Sequence, residues 1–218
     1  MSNINVKRAV ENIRSGTNIY TPLVETIVNA IQAVEVGAPP KGRVEILVHR
    51  SAQQELEGGL PPVESFTVID NGIGFNDENR DSFDTLYTDH KIAQGGKGFG
   101  RFTCLKYFDD LIIESVFAAA DGRRKRSFRM GKKTDIIVDE KVEDCPEGEI
   151  GSRVTMHAVK DRRFPDKQVK TIARTLVERL LPYFIDADYR CPEIGIAEED
   201  GTGRIVLNNF VTNQLAAM

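Results

Sequence analysis

Cysteine is scarce in this chain of 218 residues: Cys104, Cys145 and Cys191 are odd in number and far apart. They show no metal-ligand spacing and no disulfide framework, so they read as buried or incidental thiols of a protein in a reducing, cytoplasmic compartment. Long apolar runs are missing as well. The N-terminal "MSNINVKRAVENIR" lacks the hydrophobic stretch of a signal peptide, and no later segment could span a bilayer, so no membrane role is expected. There is no excess of basic residues: the formal net charge of −4 argues against a dedicated nucleic-acid binder. The basic run "DGRRKRSFRMGKK", residues 121–133, leaves a local contact with nucleic acid or an acidic partner open. It reads more simply as a solvated hairpin whose charges guard a sheet edge. Repeats and low-complexity segments are also absent. What is present is enough hydrophobic residue, 40%, to bury the core of one fairly large domain.

Periodicity orders the chain. Val6, Val10 and Ile13 are spaced for a short lead-in helix over residues 5–15. A second helix is expected over residues 22–36, with Thr21 as cap, Pro22 in the first turn and Gly37 as the stop. Residues 43–49 and 64–70 alternate as strands, a short helix is expected at 80–87, and helical spacing returns over 99–108. Four further strand-like stretches follow, from "DLIIESVFAA" to "SRVTMHAV". A strong helix then places Val169, Ile172, Leu176, Leu180 and Leu181 on or near one face. Strands that follow one another, rather than alternating with helices, predict an α+β fold: a two-layer sandwich with a mostly antiparallel mixed sheet and helices on one face. Residues 1–190 are expected to form this domain, and 191–218 to begin a following domain or a C-terminal extension.

Four short segments carry chemistry. In "LVETIVNAIQAVEVG" an acid, Glu25, precedes an amide, Asn29, by four residues, which puts both on one helix face. In "VIDNGIGF" a β-branched strand ends at Asp70, followed by Gly72 and Gly74, an acid that can accept from an exocyclic amine beside a backbone that can be approached closely. The same letters also spell an ordinary turn. In "GGKGFGRF" the glycines 95, 98 and 100 follow G-x-x-G-x-G and lead into a helix, an arrangement suited to anions, with Lys97 as a point charge. A polar, loop-like stretch rather than a strand precedes these glycines, which argues against the dinucleotide-binding βαβ reading. In "GSRVTMH" a Gly and the Ser152 hydroxyl open a strand.

Taken in order, Glu-x-x-x-Asn-Ala, Asp-x-Gly-x-Gly, a glycine-rich loop entering a helix and Gly-Ser opening a strand resemble the GHKL ATPases. That superfamily holds gyrase B subunits, ninety-kilodalton heat-shock chaperones, MutL proteins and histidine kinases, and the likeness covers roughly residues 20–160. It implies a Bergerat-type fold that binds ATP with Mg²⁺. It gives Glu25 the role of general base, Asn29 that of metal ligand, and Asp70 that of adenine reader. By the same likeness Gly72 and Gly74 shape the pocket floor, Ser152 joins the network beside the adenine, and Gly95, Gly98 and Gly100 form a lid over the phosphates. Lys97 is expected on the β- or γ-phosphate. One departure is Gln32, where chaperone and MutL relatives commonly carry Asp.

The resemblance implies a magnesium-dependent ATPase that works as a conformational switch in a larger protein, with slow hydrolysis by this chain alone. A further C-terminal domain and an ATP-driven homodimer belong to the same expectation. Two alternatives remain. One is a non-catalytic nucleotide sensor. The other, a histidine kinase module, is disfavoured because only about twenty residues precede the Glu25 helix and because an acid at 25 suits water activation.

Overall fold

The computed structural model describes residues 6, 10, 16–52, 59–84, 100–160 and 164–210. Among the described residues, helices α1 (Tyr20–Gly37), α2 (Asp77–Asp84), α3 (Gly100–Tyr107) and α4 (Val169–Ile185) accompany eight strands. The strands are β1 (Arg43–Arg50), β2 (Val63–Asp70), β3 (Phe108–Ala119), β4 (Gly122–Met130), β5 (Ile137–Asp144), β6 (Gly151–Val159), β7 (Glu193–Glu198) and β8 (Ile205–Val206). They form one sheet in the order β5-β4-β3-β6-β2-β1-β7-β8. Every pairing is antiparallel except that of β1 with β7. This is the expected α+β sandwich.

Alternation decides which face of the sheet is buried. Val44, Ile46 and Val48 of β1 are fully buried, and in register with them Val68 and Phe66 of β2 enter the same core. Helix α4 supplies Ile172, Leu176 and Leu180 to that core, and α1 supplies Leu23, Ile27 and Ile31. Leu181, expected near the apolar face of α4, is exposed instead, because it follows Leu180 by one residue and a helix turns about 100° per residue. Within the stretch expected to begin a following domain or a C-terminal extension, β7 pairs with β1, and Ile194 and Ile196 join the core.

The ends of α1 differ in detail from expectation. The helix starts at Tyr20, so Thr21 lies inside it. The capping acceptor is Asn18, whose Oδ1 accepts from Tyr20 N–H at 3.0 Å, while Thr21 Oγ1 accepts from Asn18 N–H at 3.0 Å. This is a reciprocal cap of the capping-box kind. At the other end the left-handed residue is Ala38 (φ 43°), and Gly37 remains helical. Gly37 is bare for another reason: a Cβ there would lie 2.7 Å from Ile73 N. Of the lead-in segment only Val6 and Val10 are described, both helical, with Val6 buried.

The turn after β2 is wedged between α1 and β3. A Cβ on Gly72 would stand 2.3 Å from the backbone carbon of Ala33, and Ile73 N–H donates to Ala33 O at 3.0 Å. Gly74 has φ +77°, and a Cβ there would meet Val116 O at 2.2 Å. Backbone on both sides cannot yield, so Gly72→Ala should destabilise the fold by about 2–4 kcal/mol, against less than about 0.5 kcal/mol for Gly16→Ala, which has open space around it. Urea denaturation of both variants checks this, and equal midpoints would contradict the close approach.

Candidate functional site

Glu25, Asn29 and Ala33 are spaced i, i+4, i+8 on α1 and form one row, each about 6 Å above the last. The turn after β2 is bonded to the top of that row at Ala33. The Asp70 end of β2 is thereby fixed beside the helix face that carries Glu25 and Asn29. Asn29 is exposed on that face and Glu25 is partly buried.

Helix α3 packs against α1 near the other end of the row. Phe102 is fully buried and Cys104 nearly so. Burial pushes the Cys104 thiol well up, with the nearby Glu25 carboxylate adding in the same direction and Lys160 opposing. Lys160 donates to Leu105 O at 2.7 Å, and its N–H to Tyr107 O at 2.9 Å, which caps the C-terminus of α3 with a cation. Gly100, the last glycine of the G-x-x-G-x-G segment, is the first residue of this helix. Gly95, Lys97 and Gly98 lie outside the described residues.

Both acids are held in proton-retaining surroundings. Glu25 Oε2 is buried and has no hydrogen-bond partner among the described residues, and burial raises the carboxyl from its ordinary 4.5 to about 7. Asp70, 7% exposed, is raised to about 6 by burial, partly offset by two backbone donors. These are Gly72 N–H, at 2.9 Å from Oδ1, and Ser152 N–H. Asp70 and Ser152 face each other in register across β2 and β6.

The row continues into residues the sequence did not single out. Ser115 of β3 lies opposite Ser152, and Arg126 of β4 opposite Ser115. Ser115 Oγ accepts from Phe75 N–H at 2.7 Å. Arg126, read as a solvated hairpin charge, is only 4% exposed. It donates to Phe75 O at 2.7 Å, pairs with Asp77 at 2.5 Å and with Glu140 at 3.1 Å, and lies 4.8 Å over the Phe117 ring. These contacts, with Phe75, Phe83 and Phe128 packed ring on ring, clamp the loop bearing Gly72 and Gly74, and α2 behind it, onto the sheet. The only sequence signal for either residue was a polar side chain at an inward position of an alternating strand.

The glycines of Asp-x-Gly-x-Gly had been read as room for a ligand. In the structure their bareness is used by α1 and β3.

Comparison with protein families matches residues 16–161 to "Histidine kinase-, DNA gyrase B-, and HSP90-like ATPase". The chain belongs to that family. It is an ATP-binding domain of the GHKL type. Comparison with curated protein sequences found no match. Among solved structures 279 chains match. One, titled "Crystal Structure of N terminal domain of a DNA repair protein", has a TM-score of 0.51 at 16% identity over 92% of this chain. This chain spans 54% of that structure's length, and the likeness is one of fold. No helix among the described residues is long and apolar enough to cross a membrane.

The raised Glu25 carboxyl carries a sign. The folded state holds this proton more tightly than the unfolded chain, so the contribution to stability is full below about pH 4.5 and is lost as pH rises through about 7. Without nucleotide or divalent metal, Glu25→Gln should therefore be more stable than the wild type at pH 8 by about 1–2 kcal/mol, partial exposure trimming the full effect. The gain should vanish at pH 4. Urea unfolding at both pH values measures it, and equal stability at pH 8 would contradict the burial of this carboxylate.

Proposed function

We propose that this GHKL domain binds Mg²⁺-ATP on the Glu25–Asn29 face of α1 and hydrolyses it slowly, acting as a nucleotide-driven switch within a longer protein. The observation that carries the reading is the partnerless, buried oxygen of Glu25, in one row with Asn29, at whose upper end the Asp70–Gly72 turn is bonded. A buried acceptor without a donor is costly in a folded protein unless a ligand or water uses it.

The residues fit the parts of such a reaction. With a carboxyl that titrates near neutrality, Glu25 can orient a water and take its proton as the oxygen attacks the γ-phosphorus and ADP leaves with the β–γ bridging oxygen. Asn29 would hold Mg²⁺ through its side-chain oxygen, and the ion would supply positive charge against the phosphates. No cluster of three or more His, Cys, Asp or Glu exists among the described residues, so a cation here would rely on the nucleotide for most of its ligands. Asp70, ionised above about pH 6, would accept from the exocyclic amine of adenine, with Ser152 beside it. Gly95, Lys97, Gly98 and Gly100 would form the lid, with Lys97 on the β- or γ-phosphate. Closing of that lid is the switching step, and it would create the surface for an ATP-driven homodimer or a C-terminal domain.

Calorimetry with Mg²⁺-ATP and a single-turnover assay test this together. The wild type should bind and hydrolyse, with a kcat/KM that rises with pH as the Glu25 carboxyl of the free enzyme ionises, at about 7. Glu25→Ala should bind within about 3-fold of the wild type yet lose about 10²-fold or more in rate. Asp70→Asn should weaken binding by about 10-fold or more. Rates for the wild type and Glu25→Ala that are equal and no faster than background would remove the general base and favour a sensor.

A further inference from the structure

The hydroxyl of Ser115 is fully committed, and its commitments fix the hydroxyl next to it. Ser115 lies in register between Ser152 and Arg126, and is 3% exposed. Its Oγ makes three polar contacts: Phe75 N at 2.7 Å, Gly151 O at 2.7 Å and Ser152 Oγ at 3.1 Å. A hydroxyl has one proton and two lone pairs. The Gly151 carbonyl can only accept, so the Ser115 proton goes there; the Phe75 N–H can only donate, so it takes one lone pair. All that Ser115 can still offer Ser152 is a second lone pair. Ser152 must be the donor in that contact, and its own oxygen is left with acceptor capacity alone.

The other donor of Ser152, its backbone N–H, is used by the Asp70 carboxylate. Asp70 in turn is an acceptor on both oxygens when ionised. The neighbouring pair Asp70 and Ser152 thus offers acceptors and no donor.

We propose that Ser115 is a specificity-determining residue. By holding the Ser152 proton away from the site, it makes the Asp70–Ser152 end accept a base that presents an exocyclic amine and reject one that presents a carbonyl at the same place, so that ATP is preferred to GTP. This rests on the reading that Asp70 and Ser152 meet the base. A carbonyl set against two acceptors leaves buried polar groups unpaired, which is the strongest form of rejection a binding site has. Without the Ser115 hydroxyl, the Ser152 proton can turn and serve a carbonyl.

Calorimetric dissociation constants for ATP and GTP on the whole chain test the proposal in the wild type, Ser115→Ala, Ser115→Thr, Ser152→Ala and the Ser115→Ala/Ser152→Ala double variant, with thermal unfolding to check each fold. The wild type should favour ATP by about 10²-fold or more. Ser115→Ala should lower that ratio by about 10-fold, and Ser115→Thr, which keeps a hydroxyl, should restore it. In the double variant the ratio should equal that of Ser152→Ala, since the Ser115 effect passes through Ser152. A residue that merely held the loop would weaken both nucleotides alike and leave the ratio unchanged. Should Ser115→Ala fail to fold, Ser115→Cys keeps the volume with only a weak donor and is expected to lower the ratio in the same way. A wild type without ATP preference would overturn the base-reading assignment itself. A wild type that prefers ATP, with Ser115→Ala or Ser115→Cys keeping the full ratio, would overturn the role of Ser115 alone.

Discussion

One joint holds the site together: the turn after β2 lies against the backbone of α1, with Gly72 touching Ala33 and Ile73 N–H bonded to Ala33 O. A helix and a strand are otherwise free to slide where only apolar side chains meet, because dispersion and burial have no direction. A backbone hydrogen bond with no side chain between fixes both distance and register. Through it, a strand whose last residue is Asp70 is tied to the helix row of Glu25 and Asn29. Gly37 and Gly74 serve the same joint from two further sides, against Ile73 and Val116.

The chemistry set on that frame works against stability. Glu25 and Asp70 both lie where burial disfavours their charged forms, and each costs the folded state something at neutral pH. The single continuous core, packed between the sheet and helices α1 and α4, offsets that cost. Asp70 recovers part of it through two backbone donors. Glu25 recovers none among the described residues, a difference that suits the proposed division between a group for recognition and one for proton transfer.

Local patterns in the sequence were sufficient for much of this. The alternation of Val44, Ile46 and Val48 announced β1, and the four-residue spacing of Glu25 and Asn29 announced a shared face. What escaped was set by contacts distant in sequence. Arg126 sits in a basic run that looks solvated until β4 pairs with β3 and brings it over Phe117 and beside Asp77. Ser115 gains its meaning only from Phe75 and Gly151. Asn18, not Thr21, caps α1, a shift of a few residues that composition cannot resolve because both side chains are good acceptors. The parallel pairing of β7 with β1, whose partners lie 150 residues apart, has no local signature at all.

If the proposed site is right, the Asn29 side chain and the Gly72 turn border one nucleotide cavity. Paramagnetic relaxation by Mn²⁺, supplied as Mn²⁺-ATP to ¹⁵N-labelled protein, tests it most directly, since broadening falls steeply with distance from the ion. The Asn29 side-chain amide should broaden first and most strongly and the Gly72 backbone amide next, both saturating at one equivalent. Broadening of one without the other, or of neither, would contradict it.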